Sequence, residues 1–550
     1  MWSHVYDPLG NALLSTLVSA IPILVLLGGL GIFHIKAHIA ALLGLVASLL
    51  VAIAVYGMPS DLAMSATLYG AANGLLPIGW IILNVIFLYQ LTERKGEFTI
   101  LRESITGITN DRRLQLLLIA FCFGAFFEGA GGFGTPVAVT GAMLIGLGFS
   151  PLAASGLSLI ANTAPVAYGA LGTPITTLAK VTGLDVMQIS AMVGRQLPFF
   201  SLIVPFWLMC AFCGFKNTIK IWPAVLVAGL AFALPQFLVS NYMGPELVDV
   251  IASVSSMAAL AMFLKVWHPA EIWTSTNGTA SYSSNGEKRA NHGYTRSQVV
   301  RAWLPWLILS VMVFLWGTPS FKKALDGLFF MQIEWPGLHN LVQKMPPVVS
   351  EPHLEAAVYK LNLLSATGTG ILLASIISAF VIGYRPLEIV KVFGQTLWSL
   401  RYSLITIVAM LALGYLTRYS GVDITLGLAF AHTGVFYPFF GTLLGWLGVA
   451  LTGSDTASNV LFGGLQKTTA ERLGLSPILM TSANTSGGVM GKMIDAQSIV
   501  VASTATKLYG QEGDILRYVF FHSIALACLV GLLVTAMAYV PPLTTLVLWP

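Results

Sequence analysis

Charge is what this sequence has least of. Asp, Glu, Lys and Arg form 9% of its 550 residues, against about 25% in an ordinary globular protein. A soluble fold of this length has no way to cover its surface with 28 basic and 23 acidic side chains. Cysteine is almost as scarce. Cys122, Cys210, Cys213 and Cys528 all lie inside apolar segments, where each reads as a small buried side chain and not as a disulfide partner or metal ligand. There is no HExxH, and the nine histidines are scattered without zinc-ligand spacing. Gly491-Lys492-Met493 is no phosphate loop, because the leading glycine is misplaced and no Ser or Thr follows the lysine. These absences argue against a metal centre, an ATP-driven pump and an enzyme, and leave an ion gradient as the driving force. No cofactor and no metal are expected.

What is present is apolar. Hydrophobic residues make up 56% of the chain and the mean hydropathy is +0.80, which makes this an all-α polytopic membrane protein. The net charge of +5 does not point to nucleic acid, because the basic residues sit in short loops between apolar runs, where they act as cytoplasmic anchors. The partner they imply is the lipid bilayer. The opening residues 1–14 lack a basic region and a small-residue cleavage site, so the first apolar run is read as a span and not a removable signal.

Runs free of Asp, Glu, Lys and Arg, among them 8–35, 37–60, 62–92, 129–179 and 518–550, are long enough for helices that need about 20 residues to cross. Arg94, Lys95, Arg102, Arg112 and Arg113 place the loop 93–113 in the cytoplasm. Continuing the alternation puts Lys216, Lys220, the Ser/Asn/Gly-rich loop 268–297, Arg385 and Lys507 on the same side. The segment 318–360 and both termini fall outside, giving about 12 crossings. The sequon Asn277-Gly278-Thr279 lies in a loop expected to be cytoplasmic.

Two stretches do not fit the crossing count. Residues 114–149 and 437–466 are apolar arms broken centrally by Gly, Ser and Thr, and each reads as a re-entrant hairpin. Each precedes an apolar helix with its own polar break, at 151–180 and 475–500, and both breaks are read as beginning Ala-Asn-Thr. The first hairpin enters from the cytoplasm and the second from outside. The chain therefore divides into an inverted repeat, 1–220 and 298–550, joined by connecting helices and a loop at 221–297. Such repeats build substrate sites at mid-membrane from broken helices. The architecture expected is that of a secondary transporter; a channel would need a continuous polar stripe, and none is visible.

The first tip, Glu128-Gly129-Ala130-Gly131-Gly132-Phe133-Gly134-Thr135, spells GxGxxG, but no strand precedes it and no acidic residue follows before Asp185. Gly131, Gly132 and Thr135 instead allow a tight turn that presents N–H groups to an anion, or close helix packing. The second tip holds Ser454, Asp455, Thr456 and Ser458, and Asp455 is the only charged residue from 424 to 466. A carboxylate at mid-membrane costs about 2.5–3.5 kcal/mol, so Asp455 and its counterpart Glu128 are candidate proton carriers, or else buried caps of the tip amides. Lys492 and Asp495 stand three apart on one helical face. They form either a structural ion pair or a substrate-carboxylate partner beside a proton-exchanging acid. Asn162, Thr163, Asn484, Thr485 and Ser486 offer short polar groups to a substrate, and Tyr168 does the same or simply packs. Arg195-Gln196 and Arg418 read as anchors near span ends.

The strings EGAGGFGTPVAVTGA, LIANTAPVAYGALGTPI, MVGRQLPF, MPPVVSE, LSATGTGIL, GWLGVALTGSDTASN and ANTSGGVMGKMIDAQSI resemble the lactate permease family. The likeness runs from YDPLGN near the start to the final span. It implies membership of a wider ion-transporter superfamily with paired hairpins and broken helices, in which dimers occur, so a homo-oligomer is open. It also implies proton-coupled carriage of L-lactate, D-lactate or glycolate across the bacterial inner membrane, with sodium coupling of another small carboxylate as the alternative. Gly131-Gly132 and Thr135 depart from the Ala-Gly and Ala expected in that family, at the site itself.

Overall fold

The computed structural model describes residues 1–550 except 34, 107–108, 133, 276–281, 284–293, 350 and 432. The sequon at 277–279 and part of the loop 268–297 lie outside the described residues. Helix α1 (Ala12–Gly31) is capped by the Asn11 side chain, and α2 is Ala37–Leu50. Helices α3 (Ser60–Asn73) and α4 (Trp80–Arg94) are joined by a wide turn at Gly74–Gly79, where Pro77 interrupts the hydrogen-bond ladder and Leu76 is extended. A short α5 (Glu97–Thr106) follows. Then come α6 (Arg112–Gly131), α7 (Thr135–Gly146), α8 (Pro151–Ala161) and α9 (Gly169–Thr182). Next are α10 (Val186–Cys213), α11 (Trp222–Tyr242), α12 (Val248–Val266) and α13 (Arg296–Gly317). The second half contains α14 (Thr367–Val381), the long α15 (Pro386–Ser420) and α16 (Val422–Ala431). It ends with α17 (Tyr437–Thr452), α18 (Asp455–Leu473), α19 (Pro477–Gly491), α20 (Ala496–Ala505) and α21 (Glu512–Tyr539).

Ten helices among the described residues are long and apolar enough to cross a membrane. Large apolar side chains such as Leu50, Leu68, Leu234 and Phe521 are exposed on them, the surface a helix in lipid requires. The connecting segments gather at two ends. At one, Arg113 bonds the carbonyls of Asn217 and Glu271, Lys220 pairs with Glu271 at 2.6 Å, Arg301 with Glu97 at 2.9 Å, and Lys507 with Glu93 at 2.9 Å. These are the loops that charge counting assigned to one side. At the other end Trp2–Ser3 pairs with Val342–Lys344, which pairs in turn with His353–Glu355, so the N-terminus and the 318–360 segment share a face. Strand content in that segment was not anticipated: Met331–Glu334 also pairs with Val358–Leu361.

The stretches read as hairpins form the helix–turn–helix pairs α6–α7 and α17–α18. The two broken helices are α8–α9 and α19–α20, and they open alike. Ser150-Pro151 and Ser476-Pro477 each place a capping serine before a proline at the first helical position, with Ser Oγ accepting from Ala153 N at 3.3 Å and from Leu479 N at 3.2 Å. One boundary needs correction. The first break does begin at Asn162, but Asn484 and Thr485 lie within continuous α19, and the chain leaves the helix only at Lys492–Asp495. The side chains of Asn484 and Thr485 bond other side chains and leave the helical ladder intact.

Candidate functional site

At the first tip Gly132 (φ +59°) and Gly134 (φ +82°) turn the chain between α6 and α7. The tip lies against its own broken helix: a Cβ on Gly132 would stand 3.0 Å from the Ala170 methyl. There Ala170 (φ +47°), Leu171 (φ +54°) and Gly172 (φ +73°) are all left-handed, a costly conformation for the first two residues that only a fixed surrounding maintains. The second tip repeats the device. Gly453 (φ +70°) turns the chain between α17 and α18, and a Cβ there would meet Gln497 Oε1 at 2.8 Å and Asp495 Oδ1 at 3.0 Å, beside the second break.

Both tips and both breaks line one small central cavity of about 30 Å³, room for about one water molecule. From the first half come Glu128, Gly132, Gly169, Ala170 and Thr173; from the second come Gly453, Ser454, Asp455, Thr456 and Lys492. Lys492 is the one cation of this lining among the described residues. Its Nζ donates to the Gly453 carbonyl at 2.6 Å and lies 3.5 Å from Asp495 Oδ2, while Asp495 Oδ1 accepts from Ser498 N at 2.7 Å and so caps α20. Glu128 Oε2 accepts from Asn162 Nδ2 at 3.1 Å. Asp455, in the first turn of α18, is buried, and neither of its carboxyl oxygens has a hydrogen-bond partner among the described residues. Ser454 Oγ caps α18 through Ala457 N at 3.3 Å, so the positive end of a 19-residue helix meets the cavity.

Residues 15–541 match the sequence model of the L-lactate permease family. The chain belongs to that family. It is 48% identical to the glycolate permease GlcA of Escherichia coli K12 over 98% of both chains. Against the L-lactate permease of the same strain it is 47% identical, again over 98% of both. The solved YdaH transporter of Alcanivorax borkumensis shares 12% identity at a TM-score of 0.26, covering 79% of this chain and 86% of that one, a likeness that carries no argument. Family and helices together make the protein a multi-pass membrane permease and not an enzyme.

The permease does not bring every anticipated residue to the cavity. Asn162 reaches it through Glu128, whereas Thr163 Oγ1 bonds Ile160 O at 2.8 Å. Tyr168, fully buried, donates to Ser190 O at 2.7 Å. Gly131 faces Val313, and Thr135 begins α7 with its hydroxyl buried and without a partner among the described residues. Ser458, Asn484 and Thr485 join Asn459 and Gln466 in a buried network: Asn484 Nδ2 donates to Asn459 Oδ1 at 2.9 Å, Thr485 Oγ1 to the same oxygen at 2.9 Å, and Gln466 Nε2 to Asn484 Oδ1 at 3.1 Å. Ser486 Oγ donates to Gln196 Oε1 at 2.6 Å. These groups fasten the second hairpin to α19 and α19 to α10. Gln196 is therefore no span-end anchor but a buried tie.

Three features were missed. Thr173 and Gln497 adjoin the tips. More telling is Asp249 on α12, which is buried against Gly129 of the first tip with both carboxyl oxygens lacking a partner among the described residues. In sequence it falls just ahead of the uncharged run 250–264 and two residues after Glu246–Leu247, where an acid reads as the end of a loop. Among the described residues no three His, Cys, Asp or Glu side chains are grouped to hold a metal.

Proposed function

We propose that this permease imports 2-hydroxymonocarboxylates, L-lactate, D-lactate or glycolate, together with protons by alternating access across the bacterial inner membrane. The substrate class follows the names of relatives that match almost the whole chain. Proton coupling rests on one observation, the charge balance of the cavity. Lys492 is already matched by Asp495, which leaves Glu128 and Asp455 as two acids with no cation of their own in the described lining. An anion entering beside ionised carboxylates is repelled, and neutralising one of them removes the repulsion. Anion and proton therefore favour each other's binding.

In this reading the substrate carboxylate sits between Lys492 and the N-terminus of α18, its hydroxyl faces Ser454, Thr456 or Thr173, and Asp455 or Glu128 holds the proton. Carrying a proton with each anion also cancels the cost of about 2.3 kcal/mol for moving one charge against ~100 mV. The architecture proposed is 12 crossings with both termini outside, and two re-entrant hairpins entering from opposite faces as halves of an inverted repeat. The gathering of connecting segments at two ends, the paired Ser-Pro starts and the meeting of both tips at one cavity support it.

The test is labelled L-lactate uptake into proteoliposomes under an inward proton gradient without sodium. Uptake that collapses with a protonophore establishes symport. Uptake that appears only when sodium is added overturns it.

A further inference from the structure

The central cavity does not stand alone. A chamber of about 250 Å³ shares Gly453, Ser454 and Thr456 with it, and shares Arg418 and Val460 with a wide vestibule on the face that holds the N-terminal strand and the 331–361 segment. The three cavities thus lie in series between that face and the site, each parted from the next by residues that line both. Arg418 is the one charged side chain of the middle chamber among the described residues. It was read from sequence as a snorkelling anchor, yet its side chain is four-fifths buried and tied to Glu355 of the overlying segment.

That tie is imperfect. Nε and Nη2 of Arg418 both converge on Glu355 Oε1, each at 2.7 Å, and Lys344 Nζ lies 3.7 Å from the same oxygen. Glu355 Oε2 is buried with no partner among the described residues. Arginine and carboxylate usually meet fork to fork, two nitrogens on two oxygens. Here the guanidinium keeps capacity unused where the middle chamber meets the vestibule. From this geometry we infer that Arg418 is an outer docking site for the carboxylate of a small monocarboxylate, with Glu355 occupying it as an internal competitor until the anion arrives. An anion that passes from the vestibule, where Lys180, Lys344 and Lys467 stand, into the middle chamber needs a countercharge there, and among the described residues of that chamber Arg418 alone supplies one. The inference rests on the reading of the permease as a carrier of small monocarboxylates.

A cysteine at Val460, where chamber and vestibule meet, tests it in spheroplasts treated from outside with impermeant thiol reagents, one anionic and one cationic. The parent without V460C corrects for the native thiols. The ratio of anionic to cationic labelling rates reports the countercharge without any transport. R418Q/E355Q, which keeps the charge balanced so that a purely structural pair is replaced as a unit, is expected to lower the ratio about tenfold. E355Q alone, which retains Arg418, is expected to raise it. External L-lactate is expected to slow labelling when Arg418 is present and not in the double variant. An unchanged ratio in both variants, or a V460C that no external reagent reaches, overturns the proposal. Lactate uptake by the V460C protein is measured beside these. Its failure in every form, wild type included, would count against the substrate reading, whereas the labelling ratio would still report on the docking site.

Discussion

The two halves of the site share a frame and differ in chemistry. Each has a hairpin tip turned by a left-handed glycine, Gly132 or Gly453, resting on the break of the helix that follows. Yet the first break is wide, running from Asn162 through three left-handed residues to Gly172, and contains no charged side chain. The second is only Lys492–Asp495 and contains an ion pair. The acids differ too. Glu128 has a hydrogen bond from Asn162, while Asp455 has none among the described residues. A similar backbone device thus brings an uncharged, irregular stretch of chain to one side of the cavity and fixed charge to the other.

The largest effect should come from removing the charge. Lys492→Gln is expected to lower lactate uptake by more than about 100-fold, the scale of about 3 kcal/mol seen when one partner of a buried pair is lost. It should also lower the melting temperature, because Asp495 is left buried and unmatched. Lys492→Gln with Asp495→Asn should recover the melting temperature but not uptake. If the double variant transports, the pair is structural and the asymmetry between the breaks carries no function.

Next come the acids. Asp455→Asn is expected to abolish pH-driven uptake while leaving lactate exchange partly intact, since exchange needs no net proton release. Glu128→Gln should act in the same direction but about tenfold more weakly, a general acid–base scale, because an amide there can keep the Asn162 contact. Full retention of pH-driven uptake in Asp455→Asn would remove that residue from the role. Equal losses in both would erase the distinction drawn between the two tips.

The tips themselves separate by a smaller margin. Gly132→Ala and Gly453→Ala each force a left-handed alanine, costing about 1 kcal/mol. Around Gly132 the new methyl meets Ala170, itself held left-handed, whereas around Gly453 it meets the ends of the Gln497 and Asp495 side chains. Gly132→Ala should therefore lower the melting temperature more, and Gly453→Ala should disturb substrate affinity more. Thermal unfolding and uptake KM, measured together, decide it.

Much of this frame was legible because a membrane makes exceptions conspicuous. Glu128, Asp455 and Lys492 stood out as charges in uncharged runs, and they share the cavity. Glycine- and serine-rich interruptions marked the turns at Gly132–Gly134 and Gly453 for the same reason. What failed was inference from polarity to broken backbone. Asn162 does end a helix, but Asn484 does not, because Asn459 and Gln466 engage its side chain while its backbone stays helical. Whether a polar residue breaks a helix or braces one depends on partners distant in sequence. Asp249 was missed because it stands where a loop ends, and only the fold sets it against Gly129; Arg418 does stand near the end of α15, but its tie to Glu355 depends on a segment distant in sequence.

The smallest effect separates the cavity from the outer face. His4 lies beside Glu355 and bonds the Tyr419 carbonyl at 3.0 Å. Burial, only partly offset by Glu355 and that carbonyl, lowers the His4 pKa from 6.5 to about 4. Glu355 shifts otherwise: burial opposes its charge, but Lys344, Arg418 and His4 outweigh it and hold the carboxyl at about 2. Since the folded protein favours neutral His4, its contribution to stability is complete above pH 6.5 and is lost as pH falls from there through 4. Glu355 loses its own contribution only as pH falls below about 4.5 toward 2. Thermal unfolding at pH 7 and pH 4.5 should therefore show an acid-sensitive component that His4→Gln flattens, with Gln still able to donate to Tyr419. The pH profile of uptake between 5 and 8 should survive that substitution unchanged. A profile that moved with His4→Gln would place the proton-sensing group at the outer face and not among the acids of the two tips.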